Sequence, residues 1–228
     1  MPNPRRNRTS GSCRGLCCFL LLTSACAAAA RAQTLSLGVR GGPSLTGVLW
    51  EDPYAADGMG VRRTFHVGSV LMIGLSRWLD IEIDALWSRK GQTDRGGAHI
   101  GSVESDYLGF PVLARLHLPS RLSPHLLLGP TGAVQLRCWV NGVADVGAGG
   151  CDDPFLGMGR ARLDWGVILG LGLSYRVGPG SLVVDVLGDL GLRDIKQGAL
   201  PPGFARNIAI HLSLGFTVPL RAARRPDR

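Results

Sequence analysis

The chain has 228 residues, a formal net charge of +8 at pH 7, 33 glycines and only 6% aromatic residues. This length suits one ordinary domain together with targeting material. The charge does not indicate a nucleic-acid partner, because five arginines lie in the first 32 residues with no acidic residue among them. The remaining chain carries 20 basic against 17 acidic residues, a formal charge of only +3.

The first 32 residues have the features of a cleaved export signal. Arginines precede the apolar run LCCFLLLTSACAAAA at 16–30, and Ala30-Arg31-Ala32 before Gln33 fits a small-x-small cleavage site. The apolar run is too short for a comfortable membrane helix of ~20 residues. A membrane anchor and a lipoprotein with its lipid on Cys26 are the alternatives. We therefore predict a signal peptide over 1–32, a barrel domain over 33–220 and a basic tail over 221–228.

Only two cysteines, Cys138 and Cys151, remain once the signal is removed. An exported protein meets an oxidising compartment, and a two-cysteine metal site lacks further ligands at suitable spacing. We therefore predict a Cys138–Cys151 disulfide in a long loop, and neither a metal site nor a cofactor. The enclosed sequence CWVNGVADVGAGGC is either a recognition surface or a spacer held closed by its cystine.

The mature chain repeats the period of a β-strand rather than that of a helix. Apolar residues alternate with polar or small residues, as in LDIEIDALWSRKG at 79–91, and this pattern predicts a strand with one apolar face. Eight such segments are present. They cover 34–42, 64–76, 79–91, 107–118, 125–137, 160–176, 181–192 and 207–218.

Long and short connections alternate between these segments. Long ones rich in Gly, Asp and Pro fall at about 43–63, 92–103, 138–159 and 193–206, and every second connection is short. This arrangement predicts an all-β fold, an eight-stranded antiparallel up-and-down barrel with all its long loops at one end. Closure of eight strands removes the sheet edges.

The composition of the two faces indicates which one points into the barrel. The polar face is crowded with Gly and Ser, which suit a cramped interior, and the chain after the signal has only two lysines. Long loops at one end and tight turns at the other are typical of outer-membrane barrels. We therefore predict a transmembrane barrel with its apolar face toward lipid. Its lipid-facing or interfacial aromatic residues are Trp87, Phe110, Trp165, Tyr175 and Phe216.

Charged residues of both signs share the polar face, and we predict that they form a lumen charge network. Eight strands leave an interior that side chains fill, so these charges are expected to pair as a plug; an ion or proton path is the alternative. We also expect Gly170→Ser, on this face, to lose much less stability than Leu169→Arg on the lipid-facing side. The predicted network consists of Arg40, Asp80, Glu82, Asp84, Arg115, Arg160, Arg162, Asp164, Arg176 and Asp185.

One combination of polar residues suggests catalysis. His211 and Ser213 point the same way on the last strand, and with Asp185 they suggest a lipid hydrolase. Such a site has to face lipid, however, whereas the alternation places both residues inward. We therefore predict that the protein is not an enzyme.

The sequence resembles the eight-stranded outer-membrane β-barrel family often labelled porin-like or PorT-like. The segments that carry the resemblance are GVRGGPSLTG, IDALWSRKG, DYLGFPVLARLHL, HLLLGPTGAVQL and LDWGVILGLGLSY. The last strand, SLGFTVPL at 213–220, is similar to the assembly signal of such barrels, although it lacks the terminal aromatic residue and is followed by eight more residues. The resemblance implies insertion by the barrel-assembly machinery.

We thus expect a monomeric protein of the cell outer membrane, in contact with its lipid, with a structural, adhesive or surface-binding role. The long loops would contact an extracellular partner that the sequence does not name. Three other functions fit the same pattern. They are a narrow passive channel, a lipid-modifying enzyme and a soluble periplasmic ligand-binding barrel.

Overall fold

The computed structural model describes residues 34–51, 59–94, 102–143, 147–151, 161–195 and 204–221. Within these ranges every regular element is a strand, and no helix is long and apolar enough to cross a membrane. The predicted signal peptide, most of the predicted tail and Arg160 lie outside the described residues. The strands are β1 (Thr34–Trp50), β2 (Met59–Gly74), β3 (Leu79–Asp94), β4 (Val103–His117), β5 (Leu122–Val143), β6 (Gly147–Gly150), β7 (Leu163–Val177), β8 (Gly180–Gly191) and β9 (Ala205–Arg221).

The strands close into an antiparallel barrel. The hydrogen-bonded order is β4-β3-β2-β1-β9-β8-β7-β5-β6, and the β4–β5 pairing closes the ring. Eight strands form the wall, because β6 pairs only with the end of β5 as a short hairpin. The predicted eight-stranded up-and-down barrel is confirmed. Tight connections join β2 to β3, β4 to β5 and β7 to β8 at one end, which we call the short-turn end.

The tightest of these connections depends on a glycine. Val177 pairs with Gly180 across a two-residue turn, and Gly178 has a φ of 55°. A positive φ at the first central position is typical of the type II′ turns that suit the twist of a hairpin, and glycine adopts it without steric penalty. The turn therefore fixes the register between β7 and β8.

The strands extend further into the long-loop end than the sequence pattern predicts. β1 continues to Trp50, β3 to Asp94 and β5 to Val143, so parts of the predicted loops at 43–63, 92–103 and 138–159 are strand. The alternation of apolar residues marks only the part of a strand that faces an apolar medium. Beyond that level the outward residues become polar, and the pattern stops although the hydrogen bonding continues.

The outer surface carries a continuous apolar band. On β7, Leu163, Trp165 and Leu169 are exposed while the alternate residues are buried, and Leu169 is 61% exposed. In β3 the apolar stretch runs from Leu79 to Trp87. About nine residues at ~3.3 Å each, tilted by ~40°, give a band about 23 Å tall. This height matches the hydrocarbon layer that membrane barrels cross.

The disulfide joins the two sides of the hairpin that β5 and β6 form. Cys138 belongs to β5 and Cys151 directly follows β6, with their Cα atoms 5.4 Å apart. The amide of Cys151 also donates to the carbonyl of Cys138 over 3.4 Å. Cys151 packs with Val103 and Val140 in a small buried cluster. The predicted pairing is confirmed, and the segments that flank the Gly-rich connection form the paired strands β5 and β6.

Candidate functional site

The middle of the lumen is filled by buried ionic side chains that converge from five strands. Each lies at an inward position of its strand, since the alternation that exposes apolar residues to the outside turns these residues inward. Their side chains are at most a few per cent exposed. We call this group the central charge cluster; its members are Arg40, Glu82, Asp84, Arg115, His125 and Asp185.

Glu82 connects the two arginines of the cluster. One carboxylate oxygen, Oε1, accepts from Arg40, and the other, Oε2, lies 3.1 Å from Nη1 of Arg115. The Arg40 guanidinium also lies 3.3 Å from Asp84 Oδ2 and 3.4 Å from Asp185 Oδ2. A buried carboxylate is tolerated only when it is paired in this way.

His125 joins the second arginine to the third acid. Nη2 of Arg115 lies 3.1 Å from Nδ1 of His125, and Nε2 of the same ring lies 2.6 Å from Asp185 Oδ1. A guanidinium can only donate, so Nδ1 accepts and the ring proton sits on Nε2, where it is donated to Asp185. Arg115 also donates to Ser174 over 3.2 Å. The cluster is therefore one connected network across the lumen.

An apolar layer lies beside the central charge cluster. Leu113, Leu127, Ile168 and Leu187 pack together and are almost fully buried. Gly170 lies among them, and a Cβ at this position would collide with the side chain of Leu187 and approach Leu127 at 3.3 Å. A serine at Gly170 therefore needs the end of the Leu187 side chain to shift. Charge pairs and close-packed aliphatic side chains together fill this section of the barrel.

A second polar group contains two histidines. Ser44 Oγ lies 2.9 Å from Nδ1 of His66 and 2.8 Å from Nδ1 of His211, and Nε2 of His66 lies 2.6 Å from Ser213 Oγ. Since a hydroxyl has one proton, Ser44 donates to one ring and accepts from the other. Nε2 of His211 is 3.9 Å from Asp189, which also binds Lys90 at 2.7 Å.

The second polar group is not arranged as the hydrolase suggested by the sequence. Asp185 belongs to the central charge cluster and lies against His125, whereas His211 faces Asp189. His211 and Ser213 are both buried in the lumen. A lipid in the surrounding membrane therefore has no contact with either side chain.

The other predicted network residues lie elsewhere. Asp164 is buried and accepts from Asn207 at 2.7 Å, and Asp80 lies 3.2 Å from Nε2 of His117 near the short-turn end. Arg162 and Arg176 are exposed and lie outside the central charge cluster, and Arg176 lines the cavity at the short-turn end. Arg162 precedes β7 and Arg176 stands at its other end, where the lumen opens. Arg160 lies outside the described residues.

Sequence reasoning missed several inward polar residues, including Lys90, Ser44 and Asn207. Lys90 lies within the predicted strand 79–91 and has the same parity as Glu82 and Asp84, so the alternation alone identifies it as inward. Its partner Asp189 comes from β8. No sequence signal gives that pairing, because it depends on how strands far apart in the ring face each other.

The lumen is open at the short-turn end. A cavity of about 930 Å³ reaches from the turns up to Arg115. Its lining includes four arginines, at positions 77, 115, 121 and 176, together with Asp80, His117 and several hydroxyl side chains. The described residues contain no group of three or more His, Cys, Asp or Glu side chains arranged to hold a metal ion.

The predicted aromatic residues lie on the outside of the barrel. Phe110, Trp165, Tyr175 and Phe216 are exposed. Trp87 is half-buried, because its ring packs on Phe65 with centroids 5.1 Å apart. Arg89, the next outward residue of β3, stacks over Trp87 at 5.6 Å. Aromatic residues are typical of the edges of a membrane barrel's apolar band.

A closed antiparallel barrel with an apolar outer band and a charge-paired lumen defines a transmembrane β-barrel protein. Residues 31–197 match the family described as "Outer membrane protein beta-barrel domain", and the chain belongs to this family. The protein therefore resides in the cell outer membrane. In proteins of this kind the short turns face the periplasm and the long connections face the outside of the cell.

Solved structures similar to this chain include three outer-membrane or surface proteins. Ail, the attachment invasion locus protein of Yersinia pestis, has 12% identity and a TM-score of 0.42, covering 81% of this chain and 99% of Ail. OprG of Pseudomonas aeruginosa has 12% identity and a TM-score of 0.47, with coverages of 84% and 98%. Neisserial surface protein A has 13% identity and a TM-score of 0.46, with coverages of 81% and 96%. Among curated proteins, none gives a significant match to the sequence.

Proposed function

We propose that this protein is a non-conducting, non-catalytic barrel that anchors a binding surface on the outside of the cell. The observation that carries the proposal is the filled lumen. The central charge cluster spans the barrel, and the apolar layer of Leu113, Leu127, Ile168 and Leu187 lies beside it. An interior that is packed with paired charges and aliphatic side chains leaves no continuous water path, so this lumen does not support transport.

The binding role is supported by the strands that continue above the apolar band. In β5, residues 137–143 lie beyond the last outward leucine, Leu136, and add about 18 Å of tilted strand. The Cys138–Cys151 disulfide and the β5–β6 pairing hold this projection in one conformation. A pre-ordered surface loses less conformational entropy when it binds a partner.

The absence of catalysis is supported by the position of the serines and histidines that hydrogen-bond through their side chains in the second polar group. Ser44, His66, His211 and Ser213 are all buried. A nucleophilic hydroxyl has to reach its substrate, and a membrane lipid stays outside the wall. We also propose that the barrel is a monomer, inserted by the barrel-assembly machinery after removal of residues 1–32.

Planar-bilayer recording on refolded protein tests the non-conducting lumen. We expect no steady current from the wild-type protein, measured beside a known porin as a positive control for insertion. Steady ion-selective currents from the wild type, altered by Glu82→Gln, would refute the plug.

A narrow passive channel is the second candidate, and one observation favours it. The cavity of about 930 Å³ opens the lumen from the short-turn end as far as Arg115. A channel would need the central charge cluster to move aside. In that case conductance should depend on the residues lining the cavity, and Arg176→Gln should change the ion selectivity of the current.

A further inference from the structure

A groove lies on the outer wall of the barrel, directly above the apolar band. It has a volume of about 500 Å³, within the range of small-ligand sites, and is formed by β3, β4 and the β5–β6 hairpin. Because the long-connection end faces outside the cell, the groove is accessible from there. We call it the lateral groove; its lining residues are Arg89, Glu104, Asp106, Arg137, Cys138, Trp139 and Gly150.

The polar groups of the lateral groove are held in place by one another. Nε of Arg89 donates to Asp106 Oδ1 over 2.8 Å, and Nη1 of Arg89 lies 3.6 Å from Glu104. Arg62 of β2 reaches across β3 and binds the same Glu104. Arg137 stands opposite Asp106 in the β4–β5 register. The lining itself has two arginines and two carboxylates, which balance in formal charge, so the groove offers both donors and acceptors.

One wall of the groove is aromatic. Trp139 is 44% exposed, and its backbone pairs with Gly150 across the hairpin. The next residue, Cys138, is fixed by its disulfide to Cys151. The exposed part of the indole is a flat apolar surface, carried on a backbone that the hairpin and the disulfide hold in place.

We propose that the lateral groove binds an uncharged sugar of an extracellular glycan, one or two rings long. A pyranose ring has a face of C–H groups that packs on an aromatic ring, and hydroxyls that both donate and accept hydrogen bonds. Trp139 supplies the flat surface, Asp106 and Glu104 supply acceptors, and Arg89 and Arg137 supply donors. The balanced charge favours a neutral sugar over a polyanion. This inference rests on the proposed surface-binding function and names its ligand class.

Ligand-observed saturation-transfer NMR on the refolded barrel in nanodiscs tests this assignment. The probes are lactose, maltose and trehalose, with trehalose 6-phosphate as the charged counterpart of trehalose. We expect at least one neutral disaccharide to bind, and Trp139→Ala to weaken that binding about tenfold or more, as loss of an aromatic anchor does. Asp106→Asn should also weaken binding, because the negative charge and one of the two acceptor oxygens are lost. Circular dichroism checks that each variant keeps its strands.

Trp78→Ala is the matched control, since Trp78 is also exposed but lies in the turn between β2 and β3 at the other end of the barrel. It should leave binding unchanged. Binding of the phosphorylated probe alone, no binding of any neutral probe, or neutral-sugar binding that Trp139→Ala leaves intact would each overturn the assignment. None of these results bears on the filled lumen, which the bilayer recording tests independently.

Discussion

Replacing Glu82 with alanine should destabilise the barrel strongly. The Glu82 side chain is 0% exposed and is the one carboxylate in the central charge cluster that contacts both Arg40 and Arg115. After the substitution Arg40 keeps Asp84 and Asp185, at 3.3 and 3.4 Å. Arg115 loses its only carboxylate contact among the described ion pairs and keeps the neutral partners His125 and Ser174.

The magnitude follows from this uneven loss. Breaking a buried ion pair by removing one partner costs about 3–5 kcal/mol, because the remaining charge stays buried without compensation. Arg115 is almost inaccessible to water and meets this condition, whereas Arg40 is still paired. We therefore expect Glu82→Ala to lower the free energy of unfolding by about 3 kcal/mol, at the lower end of that range.

Glu104→Ala provides a matched control with the same chemical change. Glu104 pairs with Arg62 and Arg89 on the outer wall, and these side chains are 19–36% exposed. Water stabilises such charges after a partner is lost, so the expected loss is about 1 kcal/mol or less. Reversible urea unfolding in lipid vesicles, followed by tryptophan fluorescence, measures both variants. Equal losses for the two variants would mean that the lumen is hydrated and that the plug is misassigned.

Three further predictions address the membrane band, the hairpin and processing. Leu169→Arg should lower the free energy of unfolding in vesicles by ~2–4 kcal/mol, whereas Leu163→Arg, at the edge of the band, should lower it by ~0–1 kcal/mol. Similar losses for the two variants would contradict the placement of the band. Replacing both Cys138 and Cys151 with serine removes a cross-link that stabilises the fold by roughly 3 kcal/mol through loop-closure entropy. Hydrogen exchange should then rise mainly in the β5–β6 hairpin. Two free thiols in the exported wild-type protein would contradict the disulfide. Amino-terminal sequencing of the mature protein should begin at Gln33, whereas a lipidated start at Cys26 would refute cleavage after Ala32.

The strand number and the face of each strand could be predicted from the sequence because both depend only on a period of two. Leu169 and Glu82 illustrate this, since each has a single orientation once its strand is recognised. The ends of the strands could not be predicted in the same way. Between Trp87 and Arg89 the outer face of β3 changes from apolar to polar, so alternation no longer marks the strand although it continues to Asp94.

The partners within the lumen were beyond sequence reasoning for a geometric reason. Parity places Arg40, Arg115 and Arg176 on the same inner face, but their heights depend on the stagger of the strands around the ring. Arg115 reaches Glu82 in the middle, whereas Arg176 stands at the rim of the short-turn cavity. The register between β4 and β5 is irregular at Asp106 and Tyr107, and this irregularity likewise places Arg137 in the outer groove. No sequence pattern predicts the irregularity.

The filled lumen and the extended strands support each other physically. A strand that continues above the membrane can keep a fixed position only if the barrel beneath it does not deform. The central charge cluster links β1, β3, β4, β5 and β8 across the lumen, and the glycines of the inner face leave room for its long side chains. Cross-lumen pairs are directional, so they fix the shear of the wall as well as filling its interior. A channel needs the space that the central charge cluster occupies. The proposed binding surface instead needs a rigid wall, because the wall holds Trp139 and Asp106 in register.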